Sequence, residues 1–308
     1  MHWDLHGLNI CGKSNDAELR RRWQAAFASL GEGTGKPDLT LSLDVSSVIP
    51  APPGGDPQFR QGNLLHYYIN DTTTIAHFPR YGQLQLHLGQ GASNGVVVGA
   101  ALENYGVLED LVAISLSPHL RRRGRFLLHA FAAAYDERAV LLVGGAGAGK
   151  TTTGMALLQA GWRLLSNDSP IVDENGLILS YPGLLAAYPD TMRRFSQTQT
   201  LVGEQATGRK MVVAAGDVWP GVWTARATPG AIFFPQIEPG SEHRLQLVSA
   251  PETLRRLLPH AVEQWDQEMI PAHLAVLKRL AEMAPGYVLH LGENTTVIPH
   301  LLAEQLAS

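Results

Sequence analysis

The spacing of apolar positions predicts a helix and several strands in the first third of the chain. Asp16 opens the segment DAELRRRWQAAFASLG, where Leu19, Trp23 and Phe27 recur one turn apart on one face and Gly31 is expected to stop the helix. DLTLSLDV alternates as a half-buried strand does. Val48 to Gln58, VIPAPPGGDPQ, is dense in Pro and Gly and predicts a loop. LLHYYIN, TTIAHF and QLQLHLG follow as strand-like pieces.

Around Glu109 the pattern changes. LEDLVAISLSPHLRRRG reads as a helix running into a basic turn at Arg121 to Gly124. RFLLHAFAAAY and AVLLVGG read as two apolar strands joined by the polar turn DER. Then come a helix, MALLQAGW, stopped by Gly161, and strands at RLLS, IVDENGLILS and GAIFFPQI. Two helices, APETLRRLLPHA and PAHLAVLKRLAEM, a strand YVLHLG and an amphipathic tail complete the chain. Alternation of strands and helices predicts an α/β core. The expected division is a smaller α+β domain over 1–116 and a second domain over 117–308, with the boundary near Leu116 to within about ten residues.

Composition narrows the classes. The 308 residues are 45% hydrophobic and 17% charged, which provides a core and argues against global disorder. A net charge of −4 and a pI near 6.3 give no general attraction to nucleic acid or to an anionic membrane. Cys11 is the single cysteine, so no intrachain disulfide framework exists. The first residues lack a basic stretch followed by an apolar core, and the longest apolar runs are too short to span a bilayer. A cytoplasmic setting is the expectation.

The chemistry concentrates at Gly144, Gly145, Ala146, Gly147, Ala148, Gly149, Lys150 and Thr151, which fit G-x-x-x-x-G-K-[ST] between an apolar strand and a helix. Glycines let backbone N–H groups turn in around an anion, and the N-terminus of the next helix adds to that field. Lys150 is expected to reach the β- and γ-phosphates of ATP, Thr151 to ligate Mg²⁺, and Thr152 to help with the α-phosphate. Past the next apolar strand stands Asp168, in RLLSNDSPIVD. A carboxylate there can orient Mg²⁺ or take a proton from an attacking hydroxyl; equally, SNDSP can be a turn in which Asn167 and Asp168 cap backbone groups.

FLLHAFAAAYDERAVLLVGGAGAGKTTTGMALLQAGWRLLSND resembles the active-site region of the bacterial HPr kinase/phosphorylase family and its smaller relatives. His129, 15 residues before Gly144, matches that family's strand histidine, and Asp168 the second of its paired aspartates, with Asn167 in place of the first. ATPGAIFFPQIEPGSEHRLQLVSAPETLRRLL is similar to the family's late strand and helix, so the resemblance covers about residues 117 to 300. It implies a P-loop core of the phosphoenolpyruvate-carboxykinase type with a mixed sheet, and phosphoryl transfer from ATP to a hydroxyl. His129 would then line the phosphates and Asp168 would act on acceptor or metal. Two departures are plain. Asn167 cannot be a base or a charged metal partner, although Asp173 is a candidate substitute; and the family's Glu-x-Arg-Gly signature is missing, which argues against HPr as acceptor. A peptide serine or a small hydroxylated metabolite fits better.

Arg193 and Arg194, with Arg209 and Lys210, are candidate anchors for the γ-phosphate or an acidic acceptor, Lys210 ahead of the others. Acceptor specificity is expected in the N-terminal domain and in the loop from Pro182 to Lys210. The run Arg121 to Arg125 reads as a solvated turn, and HWDLH near Cys11 as too incomplete for a metal site. The expectation is thus an ATP- and Mg²⁺-dependent kinase acting on a small-molecule or peptide hydroxyl, without nucleic-acid or membrane partners. Two other readings stay open: a non-catalytic ATP-binding regulator, and a P-loop ATPase. A homo-oligomer is compatible with the resemblance, since true HPr kinases form rings.

Overall fold

The computed structural model describes every residue except Asp71, Tyr105, Glu204, Gln205, Thr207, Ala307 and Ser308. Three of these fall in the loop from Pro182 to Lys210, so that part of the specificity loop lies outside the described residues. By its contacts the chain forms two compact units: Met1–Arg123 with Glu263–Ile270, and Gly124–Val262 with Pro271–Ser308.

The first unit is built on a nine-stranded sheet. Its order is Gly31–Glu32, His2–Leu5, Leu8–Lys13, Leu39–Ser46, Ala92–Val98, Gly82–His87, Thr74–Phe78, Leu65–Ile69 and Phe59–Gln61. Leu8–Lys13, Leu39–Ser46 and Ala92–Val98 run parallel; the other pairings are antiparallel. The helix Ala17–Ala26 starts where Asp16 accepts the Leu19 N–H, but it ends at Phe27 rather than Gly31, which belongs to an edge strand. HWDLH lies mostly in the opening strand, with Trp3 and Leu5 turned to the core.

The basic run corrects an expectation. Arg121 is buried, not solvated: its guanidinium donates to Asp266 at 2.7 and 2.9 Å, pairs with Glu263 at 2.9 Å, and stacks over Trp265. Arg122 also binds Asp266, at 3.0 Å. These pairs, with Trp265 stacked on Tyr67, tie the acidic segment Glu263–Ile270 to the rest of the first unit.

The second unit carries a mixed sheet in the order Arg125–Leu127, Ile171–Asp173, Ile178–Leu179, Arg226–Ile237, Arg138–Val143, Ala130–Tyr135 and Arg163–Ser166. Gly286–Leu291 joins on Arg226–Ile237, and Arg244–Val248 joins on Gly286–Leu291. Arg138–Val143, Arg226–Ile237 and Gly286–Leu291 are parallel; the remainder pair antiparallel. Arg138–Val143 is apolar almost without break because both sheet faces are covered. Val140, Leu142, Phe233 and Leu291 pack against Met155 and Leu158 of the helix Lys150–Gln159. Gly154 permits this approach, since a Cβ there would land in the Phe131 ring.

Two strand expectations are corrected. RFLLHAFAAAY is not one strand: it breaks at Leu128 and His129, between Arg125–Leu127 and Ala130–Tyr135. IVDENGLILS is a hairpin of Ile171–Asp173 and Ile178–Leu179, whose turn is held by Asp173 accepting the Asn175 and Leu177 N–H groups. Asp173 thus serves that turn through Oδ1.

Candidate functional site

The loop 144–149 leaves the end of Arg138–Val143 and enters the helix Lys150–Gln159. Gly147 (φ +80°) and Gly149 (φ +101°) take backbone conformations that L side chains rarely adopt. Gly149 is further restricted, because a Cβ would sit 2.7 Å from Leu291 Cδ1. Inside the loop the Ala148 N–H bonds the Gly145 carbonyl, and the Thr153 N–H bonds that of Gly149. Among the described residues, no acceptor takes the amides of Gly147, Gly149, Lys150 and Thr151. A turn of unclaimed donors opening a helix is the arrangement that suits a phosphate.

Lys150 is buried to 9% exposure, and its ammonium is folded onto the loop. It donates to the Gly144 carbonyl at 2.5 Å and the Gly145 carbonyl at 3.3 Å, and lies 3.1 Å from His129 Nε2. Burial pushes its pKa down and Lys210 adds to that, while the Asp168 charge opposes both. The electrostatic influence of Lys210 puts it in the field of the loop; its Nζ also stands 5.7 Å from the centre of the Tyr188 ring.

His129 is placed by the strand break. Three amides turn away from strand pairing there: Leu128 N–H to the Pro170 carbonyl, His129 N–H to His260, and Ala130 N–H to Asp168. The imidazole is thereby held between two site residues, with Nε2 at Lys150 and Nδ1 3.3 Å from Asp168 Oδ1. Burial would raise the Asp168 pKa, but the His129 hydrogen bond and the His129 and Lys150 charges outweigh it, so the carboxyl sits below its usual range. Asp168 is half exposed, which leaves its other oxygen, 3.4 Å from Ser169 Oγ, open to a ligand.

The neighbouring Asn167 has a different task. Its carboxamide donates to the Leu184 carbonyl at 2.9 Å, a bond that an ionised aspartate could not make. Arg193 is likewise engaged elsewhere, with Asp190 and the carbonyls of Gly203 and Ala206. Arg194 and Arg209 are exposed. The structure therefore brings Lys150, His129 and Asp168 into one bonded chain at the loop, with Lys210 close enough to act on Lys150, and leaves Arg193 outside that chain.

Two further residues belong to this neighbourhood. The His260 ring stacks on that of His129 with centroids 6.2 Å apart, and its pKa is lowered by burial, then by His129 and Lys150. Tyr181 is buried, its hydroxyl has no partner among the described residues, and burial together with the Asp168 charge raises its pKa. Neither was singled out from sequence. LPH and LSYPG carry no motif, and only the fold brings them to the loop.

Mg²⁺ ordinarily keeps several waters and takes one or two carboxylates beside phosphate oxygens. Thr151 at the helix start and the half-exposed Asp168 carboxylate fit that modest donor set. Among the described residues no group of three or more His, Cys, Asp or Glu could hold a metal by itself. No helix among them is long and apolar enough to cross a membrane.

No protein-family model matches the chain, and no curated protein does. Among solved structures it is similar to the Hpr(Ser) kinase/phosphatase from Coxiella burnetii, at 8% identity over 59% of this chain and 93% of that one, with a TM-score of 0.30. That is a distant likeness, and it carries no argument about activity.

Proposed function

We propose that the protein is an ATP-dependent kinase that moves the γ-phosphate to a hydroxyl of a small metabolite or a peptide serine. The observation that carries this reading is the bonded chain from Lys150 through His129 to Asp168, beside a loop whose amides are unclaimed. A mere phosphate sensor needs the loop and Lys150. It has no need of an imidazole backed by a carboxylate.

In this reading the loop amides and Lys150 hold the phosphates, Lys150 exchanging the carbonyls of Gly144 and Gly145 for phosphate oxygens. His129 Nε2, released from Lys150, accepts the acceptor's hydroxyl proton. The acceptor oxygen bonds to the γ-phosphorus as the bond to the departing ADP oxygen breaks. Asp168 holds the imidazole by Nδ1 and stabilises its positive charge, the role a carboxylate plays behind a catalytic histidine. Thr151 and Asp168 are the residues that would hold Mg²⁺, which when bound neutralises charge on the phosphate oxygens. Lys210 is suited to an anionic group on the acceptor.

Incubation with Mg-ATP and a pool of metabolites and serine-ended peptides, read by mass spectrometry, tests the reading. A compound that gains one phosphate, absent with Lys150→Ala and Asp168→Ala, is the expected result. Free phosphate without a product would identify a hydrolase. Bound ATP with neither would identify a regulator.

A further inference from the structure

A cleft of about 620 Å³ opens in the second unit, lined among others by Glu242, His243, Glu293, Asn294, Val297 and Leu301. That volume lies within the range of small-ligand sites, roughly 300–1,000 Å³. Its walls are the segments that follow two parallel strands, Arg226–Ile237 and Gly286–Leu291. The last residues of those strands, Ile237 and Leu291, are the ones that a Cβ on Gly149 would meet. Both walls of the cleft thus continue from strands whose last residues lie against Gly149 of the loop, at the carboxyl edge of the parallel strands, where open α/β sheets take their ligands.

The lining has a particular chemistry. His243 is fixed at both ring nitrogens, Nδ1 accepting the Gly292 N–H at 3.1 Å and Nε2 donating to the Asn294 carbonyl at 2.6 Å. Its edges are spent and its flat face remains. Gly292 permits this close packing of the two segments, since a Cβ there would collide with the Ser241 carbonyl. Val297 and Leu301 supply apolar surface, and Val297 is 45% exposed. Glu242 and Glu293 supply carboxylate acceptors, and Glu304 a third that His300 Nε2 meets at 3.2 Å. Flat face, apolar wall and carboxylates together suit a planar base attached to a sugar whose hydroxyls donate.

We propose that this cleft holds the nucleoside half of the phosphoryl donor, with the base between His243 and the Val297–Leu301 wall and the ribose hydroxyls on the carboxylates. The inference rests on the kinase reading only for the triphosphate that joins the cleft to the loop.

The test is equilibrium binding of ATP, GTP and inorganic tripolyphosphate to the full chain, to Val297→Trp, to Glu293→Ala and to Lys150→Ala. Val297 and Glu293 are exposed, and circular dichroism checks that each variant folds. ATP or GTP should bind tenfold or more tightly than tripolyphosphate, and the preferred one names the base. Val297→Trp should erase that advantage and Glu293→Ala reduce it, both leaving tripolyphosphate affinity unchanged. Equal affinity for nucleotide and tripolyphosphate, or nucleotide affinity indifferent to Val297→Trp, overturns the cleft assignment while the loop reading stands. Tripolyphosphate that fails to bind, or binds equally to Lys150→Ala, overturns the loop reading instead.

Discussion

His129 Nδ1 lies 3.3 Å from Asp168 Oδ1, and the same ring reaches the Lys150 ammonium through Nε2 at 3.1 Å. The imidazole suited to take a proton is thus joined to the residue suited to hold phosphate and is backed by a carboxylate. Replacing it should separate the two tasks. His129→Asn is expected to lower turnover by about 10²- to 10⁴-fold, the usual worth of a positioned base, with nucleotide affinity little changed. Lys150→Ala should abolish nucleotide binding. Steady-state kinetics beside a binding titration distinguish them; a His129 variant that loses affinity in proportion to turnover would make the imidazole a binding group only.

A second prediction concerns Arg121 and Asp266, each 3% exposed and paired at 2.7 Å. Asp266→Ala leaves a buried guanidinium with Glu263 as its only remaining carboxylate among the described residues, and such losses cost about 3–5 kcal/mol. Urea unfolding followed by tryptophan fluorescence, which Trp265 over Arg121 should report, checks this. A loss under about 1 kcal/mol, the worth of a surface pair, would mean that the pairing contributes little.

Much of this could be read in advance only where the signal is local. The loop and its helix were readable because the motif and the flanking apolar runs are contiguous. The place of Asp168 was readable because it stands just past the apolar strand that follows that helix after one short turn. Arg121 was misread because its partner Asp266 is 145 residues away, and a run of arginines by itself looks like solvated surface. The break that aims His129 was hidden for the same reason: its three amides go to carbonyls of Pro170, His260 and Asp168, none of them neighbours in sequence. An apolar run does not reveal where its hydrogen bonds change partners.

The pH dependence of stability has a defined sign at His119. Its Nε2 lies 3.0 Å from Ser93 Oγ, while Nδ1 has no partner among the described residues. Burial, aided by the Arg123 and Arg122 charges, lowers its pKa from 6.5 to about 4. The unfolded chain takes the proton first, so this contribution is whole above pH 6.5, falls as pH drops, and is lost below about pH 4. At full loss it is on the order of 3 kcal/mol. The stability difference between the wild type and His119→Gln, from urea unfolding at pH 7.5 and pH 4.5, should shift by part of that amount in the direction that disfavours the wild type at acid pH. An unchanged difference would show that His119 does not titrate on unfolding.

Gly154 offers a control that separates stability from function. An alanine there must displace the Phe131 ring, and overpacking of that kind costs about 1–3 kcal/mol. Gly154→Ala should lower the melting temperature while its folded form still binds nucleotide. Unchanged melting would mean that the helix and strand accommodate the methyl without strain.

The most direct test of the account is transfer of label from γ-labelled ATP, measured side by side in the wild type, Lys150→Ala, His129→Asn and Asp168→Asn, together with nucleotide affinity for each. The expected result is label in an organic product only with the wild type, loss of binding in the Lys150 variant, and loss of transfer with binding retained in the other two. Transfer that survives in His129→Asn and Asp168→Asn at the wild-type rate would contradict it.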